Sequence, residues 1–393
     1  MPASTITARR LYTDIGEIEY PVIDVAADGT IAGISSDPSL ASDTTVLAAT
    51  FLDVHTHGAV GHDVMTASAS GLGEMQRFLA TRGVGHYLPT TVTGSIDEIL
   101  HALESLANAI EAFAASPQAG QAAPMGIHLE GPFLSHLRRG VHPTALLIPP
   151  TLDLFDRFQQ AARGHIQLVT VAPELPGALE FIQHAAGHGV RISLGHTDAN
   201  TEQALAGIAA GATSATHTYN AMRPMDHRNP GILGTVLTTD SLYAELIADG
   251  IHVHPAMVDL WWRAKGPRGG VDRAILVTDA MSAAGMPDGD NYSLVGLPVV
   301  VKDGRAQLKD DLAQGKSTLA GSILTMDKAV ENLQAFTGAS VADAVRAASH
   351  NPAAMLGQPA WTRLAPGMPA NLNRFDSNGK LVATYLDGVP VRP

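Results

Sequence analysis

The sequence contains no cysteine, and this absence excludes three kinds of chemistry. The chain can form no disulfide, no thiolate metal site and no cysteine nucleophile. Any metal ion must therefore be held by histidine and carboxylate side chains. The chain has 17 histidines, so most of them must serve other purposes than catalysis.

Basic residues and long apolar runs are also scarce. The chain has 25 basic and 38 acidic residues, which argues against broad binding to nucleic acid or to an anionic membrane. A single small phosphate remains acceptable because a few local donors suffice for it. No apolar run reaches the roughly 18 residues of a membrane span. The N-terminal segment lacks the apolar core of a signal peptide, and we expect a soluble cytoplasmic protein.

The middle of the chain alternates apolar strands with helical stretches. Eight strand candidates end near residues 55, 90, 130, 174, 196, 217, 250 and 279. Eight such alternations are what a closed (β/α)8 TIM-like barrel requires. A doubly wound open sheet is the alternative, but it is weakened because no GxGxxG turn follows the first strand. Residues 291–318 are interpreted as a β-hairpin insertion.

Both ends of the chain are typical of short strands joined by tight turns, such as Asp28-Gly29 and Asp387-Gly388. We therefore predict a small β-sandwich domain built from residues 1–50 and 361–393. The barrel is expected to occupy residues 51–360, and the length of the chain suits a barrel with one appendage.

Ionisable side chains fall at the carboxyl ends of the predicted barrel strands, where barrel enzymes build their active sites. These residues are His55, His57, Glu130, His196, His217 and Asp279. His55 and His57 share one face of an extended chain, and imidazoles with a carboxylate suit zinc or a similar divalent ion. A lone histidine on an apolar strand is more often a core residue. A buried, unpaired carboxylate is costly, so Glu130 and Asp279 are harder to explain in that way.

Several motifs resemble the N-acetylglucosamine-6-phosphate deacetylases of the amidohydrolase superfamily. They include HLEGP at 128–132, GHTDA at 195–199, ATHTYNAM at 215–222 and ADGIH at 248–252. The resemblance runs over nearly the whole chain. It implies that the acetamide of N-acetylglucosamine 6-phosphate is hydrolysed to acetate and glucosamine 6-phosphate by a metal-activated hydroxide.

The resemblance implies that Glu130, His196 and His217 are metal ligands and that Asp279 is the catalytic acid and base. His142, in the GVHP segment, matches a histidine that lies near the acetamide of the substrate.

Family members differ at the first strand, and this chain keeps both His55 and His57, like the members that bind two ions. We therefore predict one or two divalent ions per subunit, with zinc favoured and Glu130 as the bridge. Other superfamily members bridge two ions with a carboxylated lysine on the fourth strand. The first lysine of this chain is Lys265, so that kind of bridge is excluded.

The same resemblance implies a set of substrate contacts. They are Val141, His142, Asn220, Ala221, Asp249, Gly250, Ile251, His252, Leu319, Ala320 and Gly321. Arg228 matches an arginine that reaches the phosphate from a neighbouring subunit, which implies a homodimer. The charge pattern alone would make Arg228 a solvated loop residue.

Two alternatives stay open. The first is another deacetylase or deaminase on the same barrel, acting on N-acetylgalactosamine 6-phosphate or on an N-acyl amino acid. The second is a sugar-phosphate sensor without catalysis. The complete ligand set and Asp279 argue against the sensor.

Overall fold

The computed structural model describes residues 3–294 and 296–391. Its strands, in chain order, are β1 (Ser4–Thr7), β2 (Arg10–Thr13), β3 (Gly16–Glu19), β4 (Pro21–Val25), β5 (Ile31–Ser36), β6 (Val46–Ala49), β7 (Phe51–Thr56), β8 (Gly58–Ala59), β9 (His62–Asp63), β10 (Val84–Thr91), β11 (Ala123–Pro124), β12 (Ile127–Glu130), β13 (Ile166–Val171), β14 (Arg191–Leu194), β15 (Ser214–Ala215), β16 (Tyr243–Ile247), β17 (Ala274–Val277), β18 (Gly289–Leu294), β19 (Leu297–Lys302), β20 (Arg305–Leu308), β21 (Leu372–Phe375), β22 (Leu381–Leu386) and β23 (Val389–Pro390).

The helices lie mainly between the strands of the middle region. They are α1 (Ala69–Thr81), α2 (Ile96–Ala115), α3 (Leu152–Ala161), α4 (Ala178–Gly187), α5 (Thr201–Ala210), α6 (Gly231–Thr238), α7 (Pro255–Lys265), α8 (Lys309–Ala313), α9 (Met326–Thr337), α10 (Val341–Ala348) and α11 (His350–Met355). Within the described ranges, we find no helix with the length and apolar character of a membrane span.

Eight parallel strands form the barrel, in the order β7, β10, β12, β13, β14, β15, β16 and β17. Every residue of β7, β10, β12 and β17 is buried, because side chains fill the barrel inside and helices cover it outside. This arrangement confirms the predicted (β/α)8 barrel and sets aside the doubly wound sheet.

Helix α2 shows how the local sequence fixes an outer element of the barrel. Ser95 and Glu98 form a capping box, in which each side chain accepts a hydrogen bond from the backbone N–H of the other. Ile99, Leu103 and Leu106 then recur at helical spacing and are buried on one face. The helix therefore starts at a defined residue and packs its apolar face toward the sheet.

The barrel closes between its first and last strands, and this seam places site residues side by side. The backbone N–H of Asp279 donates to the carbonyl oxygen of His55 at 2.9 Å, and that of His57 donates to Ala280 at 2.7 Å. The hydroxyl of Thr278 donates to the Asp53 carboxylate at 2.5 Å. Burial raises the pKa of Asp53 to about 6, although the bond from Thr278 acts in the opposite direction.

Strands from both termini form a second, separate sheet domain, as predicted. One sheet has the order β1-β4-β5, and the other has the order β23-β22-β21-β6-β2-β3. Ile6 and Ile23 of the first sheet share one apolar core with Leu11, Leu47 and Leu372 of the second. The bounds at residues 50 and 361 stay a prediction, and residues 1–2 and 392–393 lie outside the described ranges.

The insertion expected as a hairpin is larger than two strands. Strands β18, β19 and β20 pair antiparallel, and the short helix α8 follows them. Leu294, Val299 and Val301 of this sheet pack against Val141 and Met281 from the barrel loops. The insertion therefore covers part of the carboxyl-terminal face of the barrel.

Candidate active site

The six ionisable residues expected at the strand ends meet at one place. Five of them line a cavity of ≈ 230 Å³ at the carboxyl ends of the barrel strands. The sixth, His55, is fully buried, and its Nε2 lies 3.5 Å from Glu130 Oε2. Other cavities are larger, including one of ≈ 430 Å³ beside Glu98 and His101. The cavity of ≈ 430 Å³ is lined by none of the six residues, so we take the cavity of ≈ 230 Å³ as the candidate site.

Glu130 is the centre of the cluster because its two oxygens face different histidines. Oε1 lies 3.3 Å from His196 Nε2 and 3.2 Å from His217 Nε2. Oε2 lies 3.5 Å from His55 Nε2 and 3.3 Å from His57 Nε2. One carboxylate thus serves two histidine pairs, which is the geometry of a bridge between two cation positions.

Asp279 lies beside His55 and His57, at the end of the first barrel strand, β7. We call this part of the cluster the first-strand side. Asp279 Oδ1 lies 3.1 Å from His57 Nε2 and 3.6 Å from His55 Nε2. Burial raises the pKa of Asp279, but the charge of His55 and a hydrogen bond from His57 outweigh burial and lower the pKa to about 2.

Outer hydrogen bonds orient three of the histidines. His57 Nδ1 lies 2.9 Å from the carbonyl oxygen of Thr90, and His196 Nδ1 lies 2.9 Å from that of Arg138. A carbonyl oxygen only accepts, so Nδ1 of each ring carries a proton, and Nε2 is the nitrogen that would ligate a cation once the cation displaces any proton there. His55 Nδ1 has a carboxylate partner and follows the same rule. This is the arrangement of metal-ligating histidines.

His142 has the opposite tautomer. His142 Nδ1 lies 2.8 Å from Thr93 Oγ1 and 3.4 Å from the backbone nitrogen of Thr93. The backbone N–H can only donate, and the hydroxyl can donate as well, so these contacts favour the tautomer with the ring proton on Nε2. Burial, followed by the charge of His196, lowers the pKa of His142 to about 3 and keeps the ring neutral. His142 Nε2 is 3.8 Å from Glu130 Oε2. This distance alone would allow His142 to be a metal ligand, but the tautomer with the proton on Nε2 makes His142 a hydrogen-bond donor toward the cavity.

The residues of the cluster fit a divalent cation. His196 and His217 bring their Nε2 atoms within 3.1 Å of each other, and a cation between two such nitrogens replaces the repulsion of their lone pairs. Burial lowers the pKa of His57, yet hydrogen bonds to Asp279 and Glu130 raise it to about 9. The buried carboxylates therefore attract positive charge into the site.

Backbone strain accompanies the cluster. His196, His217 and Asp279 have φ angles of 46°, 27° and 50°, values that are uncommon outside glycine. Gly131, directly after Glu130, has a φ of 83°, and a Cβ there would lie 2.1 Å from Thr93 Oγ1. These positions let the chain turn sharply at the strand ends, so the side chains can converge.

The expected substrate contacts divide into two groups. Val141, His142, Asn220, Ala221, His252, Leu319 and Gly321 line the cavity. Asp249, Gly250, Ile251, Ala320 and Arg228 do not. Asp249 instead holds His252, whose Nδ1 lies 2.6 Å from Asp249 Oδ2. Arg228 is exposed, on the loop before α6.

Three further buried ionisable residues, none of them predicted from the sequence, lie beneath the cluster. Asp53 holds the barrel seam, and Glu245 on β16 lies 3.3 Å from His55 Nδ1. His128 Nε2 and Thr170 Oγ1 share a 2.8 Å hydrogen bond, and the His128 ring packs edge-on against His55. Each is an ionisable residue inside an apolar strand, and that pattern could have drawn attention to them.

The barrel and its histidine–carboxylate centre define a metal-dependent hydrolase of the barrel type. The chain belongs to the amidohydrolase family, whose family model matches residues 46–391.

Named relatives agree with this placement. The chain is 36% identical to N-acetylgalactosamine-6-phosphate deacetylase of Escherichia coli O157:H7 over 98% of both chains. It is 41% identical to N-acetylglucosamine-6-phosphate deacetylase of Bacillus subtilis, over 80% of this chain and 76% of the relative.

A solved structure is similar over its full length. A mutant N-acetyl-D-glucosamine-6-phosphate deacetylase from Mycobacterium smegmatis, in complex with N-acetyl-D-glucosamine-6-phosphate, superposes with a TM-score of 0.89. Its sequence is 31% identical, and the match covers 100% of both chains.

Proposed function

We propose that this chain hydrolyses the acetamide of N-acetylglucosamine 6-phosphate to glucosamine 6-phosphate and acetate. The observation that carries the proposal is the bridging position of Glu130 between two histidine pairs, with Asp279 beside one of them. The substrate is inferred from the deacetylases to which the chain is similar.

Zinc is the ion we propose, because the donor set of imidazoles and carboxylates suits it. Glu130, His196 and His217 would hold one ion. His55, His57 and the other oxygen of Glu130 would hold a second. A divalent ion bound there lowers the pKa of water to about 7 and polarises a carbonyl oxygen.

Asp279 is the proton carrier in the proposed reaction. Its carboxylate takes the proton of the attacking water as the new C–O bond forms at the acetyl carbon. It then gives this proton to the sugar nitrogen as the C–N bond breaks, so acetate and the free amine leave. His142, with its proton on Nε2, donates a hydrogen bond to the carbonyl oxygen as negative charge develops there.

The phosphate subsite lacks its own fixed cation. Among the described residues, neither lysine nor arginine lines the cavity, and the side-chain donors outside the metal cluster include those of Asn220, His252 and Ser317. Burial lowers the pKa of His252, but Asp249 outweighs burial and raises it. We propose that Arg228 of a second subunit supplies the missing charge, in a homodimer that acts in the cytoplasm.

The function is tested by acetate release from N-acetylglucosamine 6-phosphate, measured with zinc-loaded and with chelator-stripped protein. We expect release only from the loaded protein, and little from unphosphorylated N-acetylglucosamine. Hydrolysis of an N-acetyl amino acid instead, or no acetate from any of these compounds, would contradict the proposed substrate.

N-acetylgalactosamine 6-phosphate is a second candidate substrate. The relative of that name from Escherichia coli O157:H7 aligns over nearly the whole chain, which favours testing both sugars. The two differ only at one ring hydroxyl, so kcat/KM for each, measured side by side, decides between them.

Arg228 offers a test of the dimer by subunit mixing. Asp279→Asn and Arg228→Ala should each be poorly active alone. If Arg228 acts across the interface, a mixed dimer has one site with an intact Asp279 and an intact Arg228. Random reassociation should then restore about a quarter of wild-type sites.

The control for that mixing is each variant reassociated with itself, which should stay poorly active. If Arg228 acts within its own subunit, the mixture will show no gain over the two variants separately. Sedimentation of the wild-type chain as a monomer would also contradict the proposal.

A further inference from the structure

A fully buried carboxylate, Glu245, lies behind the candidate metal ligands and has no part in the proposed reaction. It is the middle residue of β16, between Ala244 and Leu246, both buried and apolar. Its Oε2 lies 3.3 Å from His55 Nδ1 and accepts a hydrogen bond from the backbone N–H of His217 at 3.3 Å. Its Oε1 has no hydrogen-bond partner among the described residues.

Burying such a group is expensive unless something nearby gains from its charge. Among the ionisable side chains of the cluster, His55 is the one with a hydrogen bond to this carboxylate. The carboxylate accepts the Nδ1 proton of His55, so Nε2 is the nitrogen that faces Glu130 and Asp279 and that would ligate a cation.

His55 differs in this respect from two other histidines of the cluster. His57 and His196 both donate Nδ1–H to neutral backbone carbonyl oxygens. His55 alone donates to an anion, and an anionic partner makes the opposite ring nitrogen a stronger ligand. The asymmetry lies on the first-strand side of the cluster.

We infer that Glu245 is a positioning residue that sets the metal affinity of the position formed by His55 and His57. Because the same oxygen also holds the backbone N–H of His217, Glu245 links a ligand of this position to a ligand of the other one. The inference rests on the proposed metal-dependent function, but its test does not require turnover.

Two substitutions separate the charge of Glu245 from its hydrogen bonds. Glu245→Gln keeps an oxygen that can accept from His55 and His217, removes the charge, and puts the NH₂ group in the place of Oε1, which has no hydrogen-bond partner among the described residues. Glu245→Met removes both bonds at a similar volume. If the charge matters, Glu245→Gln lowers the metal affinity of the position formed by His55 and His57. Glu245→Met lowers this affinity further, because His55 is no longer oriented.

The experiment titrates metal-free protein with Co²⁺ and follows the visible absorption of the bound ion, with bound metal counted after gel filtration. We expect two ions per chain in the wild type. In Glu245→Gln, the affinity for one of them should fall about 10- to 100-fold, the usual effect of removing an outer partner of a ligand. The affinity for the other ion should change much less.

A double-mutant cycle assigns the effect to His55. His55→Asn should itself abolish binding of one ion, and Glu245→Gln added to it should cause no further loss. Ser193→Ala is the matched control, because Ser193 is buried in the barrel and its hydroxyl accepts a hydrogen bond from the Thr216 hydroxyl rather than from a candidate ligand. Its two Co²⁺ affinities should equal those of the wild type.

Three results would overturn the inference. One is unchanged Co²⁺ affinity at both positions in Glu245→Gln and in Glu245→Met. Another is an equal loss in the Ser193→Ala control. The third is a wild-type chain that binds one ion, with His55→Asn leaving that affinity unchanged. Failure of acetate release with normal Co²⁺ results would contradict the proposed function and leave the role of Glu245 intact.

Discussion

Replacing Asp279 with asparagine should lower kcat by roughly 10² to 10⁴-fold, the usual contribution of a general acid–base group. The side chain keeps its shape, and the backbone N–H of residue 279 still donates to His55 across the barrel seam. The variant loses the carboxylate that accepts the proton of water and returns it to the leaving amine. KM should change little, because substrate is held mainly by other residues of the cavity.

Metal content must be measured in the same variant. Asp279 lies close to His55 and His57, so replacing its carboxylate could weaken the binding of an ion on the first-strand side. It makes no such contact with Glu130 Oε1, His196 or His217, where an ion should remain. Activity that falls in parallel with lost metal, and returns when excess Zn²⁺ is added, would contradict the role as proton carrier.

Asp272→Asn is the matched control for this experiment. Asp272 is partly buried before β17, at the opposite end of that strand from Asp279, and accepts a hydrogen bond from Asn351. Its replacement removes one carboxylate from the same strand region without touching the cavity. We expect wild-type kcat. A near-normal kcat in Asp279→Asn as well would remove Asp279 from the mechanism.

Much of the barrel could be predicted because the burial of each strand is visible in the strand's own short stretch of sequence. Strands such as β7 and β10 are buried on both faces, so they occur as continuous apolar runs that end in turns. The insertion could not be bounded in the same way. Strand β20 reads Arg-Ala-Gln-Leu, and its single fully buried residue, Ala306, gives a pattern too weak to show a third strand.

The residues of the candidate site fall into two groups, those that could be predicted from the sequence and those that could not. Residues at predicted strand ends, such as Glu130 and His196, could be predicted because the topology of a barrel places the carboxyl ends of all its strands on one face. Glu245 and His128 lie inside strands, and their roles depend on which neighbour their side chains meet across the barrel. Those contacts join residues as distant as 55 and 245, which no pattern along the sequence records.

Neither the sequence pattern nor the structure of a single chain assigns a role to Arg228. The sequence pattern treats it as a solvated loop arginine, and in a single chain it is exposed and outside the cavity. Its proposed role exists only between two subunits. Mixing the Asp279→Asn and Arg228→Ala variants is therefore more decisive for Arg228 than any feature of one chain.

The second large effect is expected at Glu130, where Glu130→Gln should abolish tight binding at both metal positions. Each oxygen of Glu130 faces a different histidine pair, so replacing one oxygen with an amide NH₂ places a donor against inward-facing lone pairs. The NH₂ group cannot ligate, and the remaining amide oxygen has no charge. Acetate release should fall below one hundredth of the wild-type rate, a larger loss than the roughly 10- to 100-fold that follows removal of an outer hydrogen-bond partner of a ligand.

Thermal unfolding gives a measurement of the same loss that is independent of activity. A metal ion that binds only the folded chain stabilises it by about 2.7 kcal/mol when its free concentration is 100 times Kd. The wild-type Tm should therefore rise when Zn²⁺ is added to stripped protein. The Tm of Glu130→Gln should not rise, whatever the stability of its metal-free form.

Glu111→Gln is the control for that shift, because Glu111 is exposed on α2 and pairs with Arg163 away from the barrel mouth. Its Zn²⁺-induced rise in Tm should equal that of the wild type. A full rise in Glu130→Gln would mean that the histidines hold the ion without a carboxylate bridge. A rise of about half would instead mean that Glu130 serves one metal position and that the first-strand histidines bind theirs without it.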